Sequence, residues 1–118
     1  MNPLILGNRP AAERRADILH AWKTGKAESA ARLDFESVEG AWQLLSPKRW
    51  AILRTMAGQG PLAIREMARR VGRDVRAVHS DVRALHLSGV IDKTATGRMV
   101  LRYGTIRLDF TLDTQQAV

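Results

Sequence analysis

Residues 61–101 read PLAIREMARRVGRDVRAVHSDVRALHLSGVIDKTATGRMVL. Ile64, Met67, Ala68 and Val71 share one side of a short helical segment, while Arg65, Arg69 and Arg70 point away from it. Val71-Gly72-Arg73-Asp74 interrupts the pattern: a glycine there supplies the positive φ of a sharp corner, and the Asp74 carboxylate can accept from the free N–H groups opening the next helix. Val75, Val78, Val82, Leu85 and Leu87 then carry an apolar face as far as Gly89, where a helix stops on a left-handed residue. The spacing predicts a second helix over 74–88.

Beyond it, Val90-Ile91-Asp92-Lys93-Thr94 and Arg98-Met99-Val100-Leu101 are β-prone runs flanking Ala95-Thr96-Gly97, and they predict a hairpin over 90–102. Pro61-Leu62 is expected to pair with it as a short strand. Helix, corner, helix and hairpin in this order are the pattern of a winged helix-turn-helix. On the polar side of the second helix Arg76, His79, Ser80 and Arg83 recur at i, i+3, i+4 and i+7, so they line about two turns of one face. Arginine is bidentate toward guanine and serine donates or accepts, so these four are the expected base readers. Lys48, Arg49, Arg65, Arg69 and Arg73, with Lys93, Thr94, Thr96 and Arg98 on the hairpin, are the expected phosphate contacts. A solvated face on an ordinary amphipathic helix has the same pattern; the flanking helix and hairpin favour the reading face.

The net charge of +7 over 118 residues is unevenly placed. Residues 47–103 hold twelve basic side chains against four acidic ones, a net of +8, whereas residues 1–46 are balanced and residues 104–118 carry −1. Such concentration is the footprint of a nucleic-acid partner, and arginine matches phosphate and guanine edges better than lysine does. There are no cysteines, hence no disulfide, thiolate nucleophile or cysteine zinc site. His20, His79 and His86 lack metal-ligand spacing, and Gly58-Gln59-Gly60 lacks the strand and third glycine of a nucleotide loop. The expectation is a protein that is not an enzyme and needs no cofactor or metal. No apolar run approaches the ~20 residues of a membrane span, and Met1 to Leu6 lacks the basic start and cleavage site of a signal peptide. A cytoplasmic location follows as an expectation.

The remaining chain divides as an extension over 1–36, a DNA-binding domain over 37–103 and a terminal strand and tail over 104–118. Residues 1–10, punctuated by Pro and Asn, are expected to be loose at the end. A helix is expected over 11–24, with Ile18, Leu19 and Trp22 on a face that needs either a second subunit or its own domain to cover it. Ala31-Arg32-Leu33-Asp34-Phe35-Glu36 alternates as a half-buried strand does, and its Arg-Leu-Asp-Phe returns at 107–110 between Ile106 and Leu112. Antiparallel pairing of the two, within one chain or across a dimer, would set Leu33 against Leu108, Asp34 against Arg107 and Arg32 against Asp109. Leu33, Phe35, Leu108 and Phe110 join Ile18, Leu19 and Trp22 as expected dimer or partner contacts. Ser37 can cap a helix to Leu45 that buries Val38, Trp42 and Leu45. Ser46-Pro47 opens another, to about Ala57, that buries Trp50, Ile52, Leu53 and Met56. The fold class is mainly α with a small β-sheet.

Three runs carry a family resemblance: Leu45-Ser46-Pro47-Lys48-Arg49-Trp50; Gly60-Pro61-Leu62-Ala63-Ile64-Arg65-Glu66; and Val71-Gly72-Arg73-Asp74-Val75 with Val78-His79 and Asp81-Val82. With Tyr103 to Phe110 at the end, the chain from about residue 25 to 112 resembles small prokaryotic predicted transcriptional regulators. These are winged-helix proteins of MarR-like type, some suspected to be antitoxins of toxin-antitoxin modules. The resemblance implies a DNA-facing set of Arg73, Arg76, His79, Ser80 and Arg83. It departs at Ala63, where such sequences often place the Ser of a Ser-x-x-Glu box ending at Glu66. The function implied is a homodimeric repressor on a pseudo-palindromic double-stranded DNA operator, and for the antitoxin-like members of the family a toxin protein is a further partner. A winged-helix docking module without sequence readout is the alternative, and structured RNA a weaker one, since its deep, narrow major groove makes helix insertion a poor mode.

Overall fold

Ser46 sits in extended backbone and its hydroxyl accepts from the Arg49 N–H at 3.3 Å, with Pro47 in the first turn, so a helix opens here as local chemistry favours. Gly72 and Gly89 end two later helices in the left-handed region, at φ 69° and 93°. The computed structural model describes residues 3–10, 12, 15, 19, 23 and 31–115. Its elements are β1 (Leu4–Gly7), β2 (Ala31–Asp34), α1 (Val38–Leu44), α2 (Pro47–Met56), α3 (Ile64–Val71), α4 (Val75–Ser88), β3 (Asp92–Lys93), β4 (Met99–Val100) and β5 (Ile106–Asp109). The result is a small mixed α/β protein in which helices predominate. Among the described residues no helix is long and apolar enough to cross a membrane.

Two compact units emerge, residues 42–104 and residues 1–41 with 105–118. In the first, α2 packs on α3 and α4, and these pack on each other. Their buried faces are Ile52, Leu53 and Met56, then Met67 and Ala68, then Val78, Val82 and Leu85. Val90, Ile91, Met99, Val100 and Leu101 extend this core beneath the hairpin. There β3 and β4 run antiparallel, with Asp92 opposite Val100 and Lys93 opposite Met99. Leu62 and Met99 exchange both backbone hydrogen bonds, at 2.8 and 2.9 Å, so the short strand expected at Pro61-Leu62 is present as a single bridge.

Several apolar residues lie elsewhere than expected. Leu87 is 72% exposed, because two residues beyond the buried Leu85 is 200° around a helix, on the side of Arg83. Trp42 is 68% exposed as well: α1 turns Ala41 inward, one position and about 100° away. Trp50 and Val38 are half-buried. Asp74 occupies the N-cap position of α4, but its side chain makes no capping hydrogen bond.

The second unit holds a three-stranded sheet in the order β2-β1-β5, parallel throughout. Residues 3–10 are therefore not loose, since Leu4 and Leu6 are buried in the central strand. Within the chain, the antiparallel pairing expected between 31–36 and 106–110 does not occur, because β1 lies between them. Each copy of Arg-Leu-Asp instead flanks β1 at the same register: Arg32 and Arg107 beside Ile5, Leu33 and Leu108 beside Leu6, Asp34 and Asp109 beside Gly7. The expected Asp34–Arg107 and Arg32–Asp109 pairs are thereby replaced, and Arg32 Nη2 donates to Asp34 Oδ1 at 3.0 Å within β2. Phe35 and Phe110, the last members of the repeat, come together with ring centroids 6.2 Å apart. Gly7 fits between the two copies: a Cβ there would lie 2.8 Å from the Asp109 carbonyl oxygen and 2.8 Å from Arg32 Nη2. Of the expected helix over 11–24, Ala12, Arg15, Leu19 and Lys23 are helical with exposed side chains; Ile18 and Trp22 lie outside the described residues.

Candidate nucleic-acid interface

With Val78, Val82 and Leu85 directed into the core, helical geometry leaves Arg76, His79, Ser80 and Arg83 on the outer side of α4, and all four are exposed. The packing that buries one stripe thus presents the other. The hairpin runs alongside. His79, Arg83, His86 and Leu87 from α4 and Lys93 and Gly97 from the hairpin line an open cleft of about 480 Å³, with Val82 and Met99 also in its wall. Three of the expected contacts, His79, Arg83 and Lys93, are gathered there. His86 and Leu87 were not among them; Leu87 was assigned to the core stripe, and His86 is half-buried.

At the hairpin tip, the Thr94 hydroxyl accepts from the Arg98 N–H at 3.1 Å and lies 3.0 Å from the Thr96 hydroxyl. Gly97 turns the chain at φ 83°. The tip is thereby held by its own side chains, and Lys93, Thr96 and Arg98 are exposed around it, with Thr94 partly so.

The remaining candidates differ in how far they are free. Asp81, on the flank of α4, receives Arg49 Nε at 3.0 Å and has Arg73 Nη1 2.8 Å from its other oxygen. The Arg73 contact is an ion pair whose atoms miss the alignment of a good hydrogen bond. Burial alone would raise this carboxyl, yet Arg73 and Arg49 hold it below its ordinary value. Arg49 also donates to the carbonyls of Gln43 and Leu44, both at 3.2 Å. These two arginines, expected on phosphate, are engaged within the protein, with 22% and 21% of their side chains exposed.

Arg69 and Arg70 both contact Glu66, the latter at 2.9 Å, and hydrogen bonds from Arg69 and then Arg70 lower the Glu66 carboxyl to about 2. Arg69 remains 71% exposed, so the pair is a surface one. Arg102 pairs with Asp92 at 3.0 Å. Among the described residues, no carboxylate pairs with Lys48, Arg54, Arg65, Arg76, Arg83, Lys93 or Arg98. Uncompensated charge therefore includes the outer face of α4 and the hairpin. Asp81 as an anchor had no local signal, because Arg49 is distant in sequence.

Over residues 44–108 the chain matches the HVO_A0114 family model, and it belongs to that family. No curated protein and no solved structure matches it.

Proposed function

We propose that the chain is a sequence-specific DNA-binding transcriptional regulator of winged helix-turn-helix type, with α4 as the recognition helix and the 90–102 hairpin as the wing. The observation that carries the reading is the exposed row Arg76, His79, Ser80 and Arg83 beside a hairpin bearing Lys93 and Arg98, in a unit whose net charge is +8. Arg76 and Arg83 are the strongest base readers by chemistry, and His79 and Ser80 lie between them. Lys93, Thr94, Thr96 and Arg98 serve phosphate from the wing, with Lys48 and Arg65 beside them. Arg49 and Arg73 act by setting the position of α4 through Asp81, and Arg69 adds to the field near α3. No catalytic step is assigned.

The protein acts as a homodimer and represses transcription by occupying a pseudo-palindrome, with half-sites about one helical turn apart. A toxin-like partner, as the MarR-like resemblance suggests, would dock away from α4. Selection of duplexes from a random pool tests the reading. A pseudo-palindromic consensus should emerge, and Arg83→Ala should relax one position in each half-site while weakening binding by about 1–3 kcal/mol. A pool still random after selection would instead favour the docking-module reading, to which the exposed Trp42 and Leu87 lend support.

A further inference from the structure

The two copies of Arg-Leu-Asp occupy equivalent registers on either side of β1, yet their charges are used differently. In β2 the copy closes on itself: Arg32 and Asp34 pair at 3.0 Å with 14% and 3% of their side chains exposed, and Asp34 also accepts from the Arg9 backbone N–H at 3.0 Å. In β5 the copy stays open. Arg107 and Asp109 are exposed, neither has an ionic partner among the described residues, and Leu108 between them is 46% exposed. Among the described residues no strand pairs with the outer edge of β5.

The backbone of that edge is defined by its inner side. Leu4 N–H donates to the Thr105 carbonyl at 2.8 Å, while the Asn8 side chain donates to the Thr111 carbonyl at 2.7 Å and accepts from the Thr111 N–H at 3.0 Å. Residues 105 and 111 thus face β1. By strand alternation Ile106, Leu108 and Phe110 present their N–H and carbonyl groups outward. Asn8 keeps the chain in line past the end of the strand, so the outward row extends to Phe110.

We propose that β5 is the interface for a second copy of this chain, pairing antiparallel with the same strand about a two-fold axis at Leu108. In that register Leu108 exchanges both backbone hydrogen bonds with its counterpart, and Ile106 exchanges both with Phe110 of the second copy. Arg107 then faces Asp109 of the second copy at the non-hydrogen-bonded position, where cross-strand side chains approach most closely. A one-residue shift would put inward-facing groups on the edge, and a two-residue shift would break the charge pairs. Hydrogen-bond parity and charge complementarity therefore select the same register. The result is one continuous sheet, β2-β1-β5 followed by its symmetry mate, with the exposed edge removed.

This inference specifies the dimer named above without depending on DNA readout, so sedimentation and DNA affinity fail or succeed separately. Sedimentation equilibrium of the full chain should show a dimer. Arg107→Asp and Asp109→Arg should each weaken it roughly tenfold, since each change creates two like-charge pairs by symmetry. The double reversal R107D/D109R restores the complementarity and should recover the wild-type dissociation constant. Amide exchange on the wild type gives a second readout: the 106, 108 and 110 amides should gain protection as concentration rises. A wild type that stays monomeric, single reversals that leave the dimer unchanged, or edge amides indifferent to concentration would overturn the proposal. So would a folded double reversal as weak as the single ones.

Discussion

Asp81 illustrates how one side chain can position the proposed reading face without joining it. It stands on α4 among cations and holds Arg49 from α2 and Arg73 from the corner before α4. Asp81→Asn keeps the shape but removes the charge both guanidiniums face, leaving them partly buried and unpaired. We expect a loss of about 1–3 kcal/mol in urea unfolding at neutral pH. The pH dependence has a definite sign. Because the folded carboxyl titrates below the ordinary aspartate range, its stabilisation is present above that range and is lost as pH falls through the lower folded value. The variant should show a shallower acid limb in that window. Gly72 is a second such position: at φ 69° a Cβ would touch nothing, so Gly72→Ala costs only backbone strain, about 1–2 kcal/mol, read by thermal unfolding. Gly72, Gly89 and Ser46 were legible in the sequence because their roles are local. Asp81 was not, since its partner Arg49 is brought to it by tertiary packing.

The start of α3 is its weakest local feature. Ala63 holds the extended N-cap backbone with no side-chain hydrogen bond, while Glu66 is engaged by Arg69 and Arg70. Ala63→Ser should therefore raise stability by about 1 kcal/mol while leaving DNA affinity unchanged. The proposed wing carries a separate prediction. Lys93→Ala or Arg98→Ala should weaken all duplexes alike and reduce the slope of log affinity against log salt by about 1 each. Either change altering sequence preference instead would place the wing among the base readers. The stripe of α4 was legible because its buried residues repeat at helical spacing. Leu87 departs from that stripe by half a turn, which a list of apolar residues hides but an angular count reveals. Leu4-Ile5-Leu6 lacked the alternation of a half-exposed strand; a central parallel strand reads instead as a short continuous apolar run.

Across the full chain, charge and pairing were legible to different degrees. Seven cations of residues 42–104 have no carboxylate partner among the described residues, and this excess follows from composition alone. The repeated Arg-Leu-Asp-Phe announced that two distant strands are equivalent, but equivalence is satisfied equally by pairing with each other or with a common neighbour. Leu4–Gly7 decides it, and parallel pairing over such separations leaves no turn signature in the sequence. We propose above that α4 and the hairpin read DNA sequence. The most direct test is affinity for the protein's own promoter fragment against a scrambled duplex of equal length, at about 150 mM salt where long-range attraction is screened. Sequence reading by α4 predicts a preference of about 10³-fold or more, abolished when Arg76 and Arg83 are both changed to Ala. Equal, weak binding to both duplexes, unaffected by those changes, would contradict it.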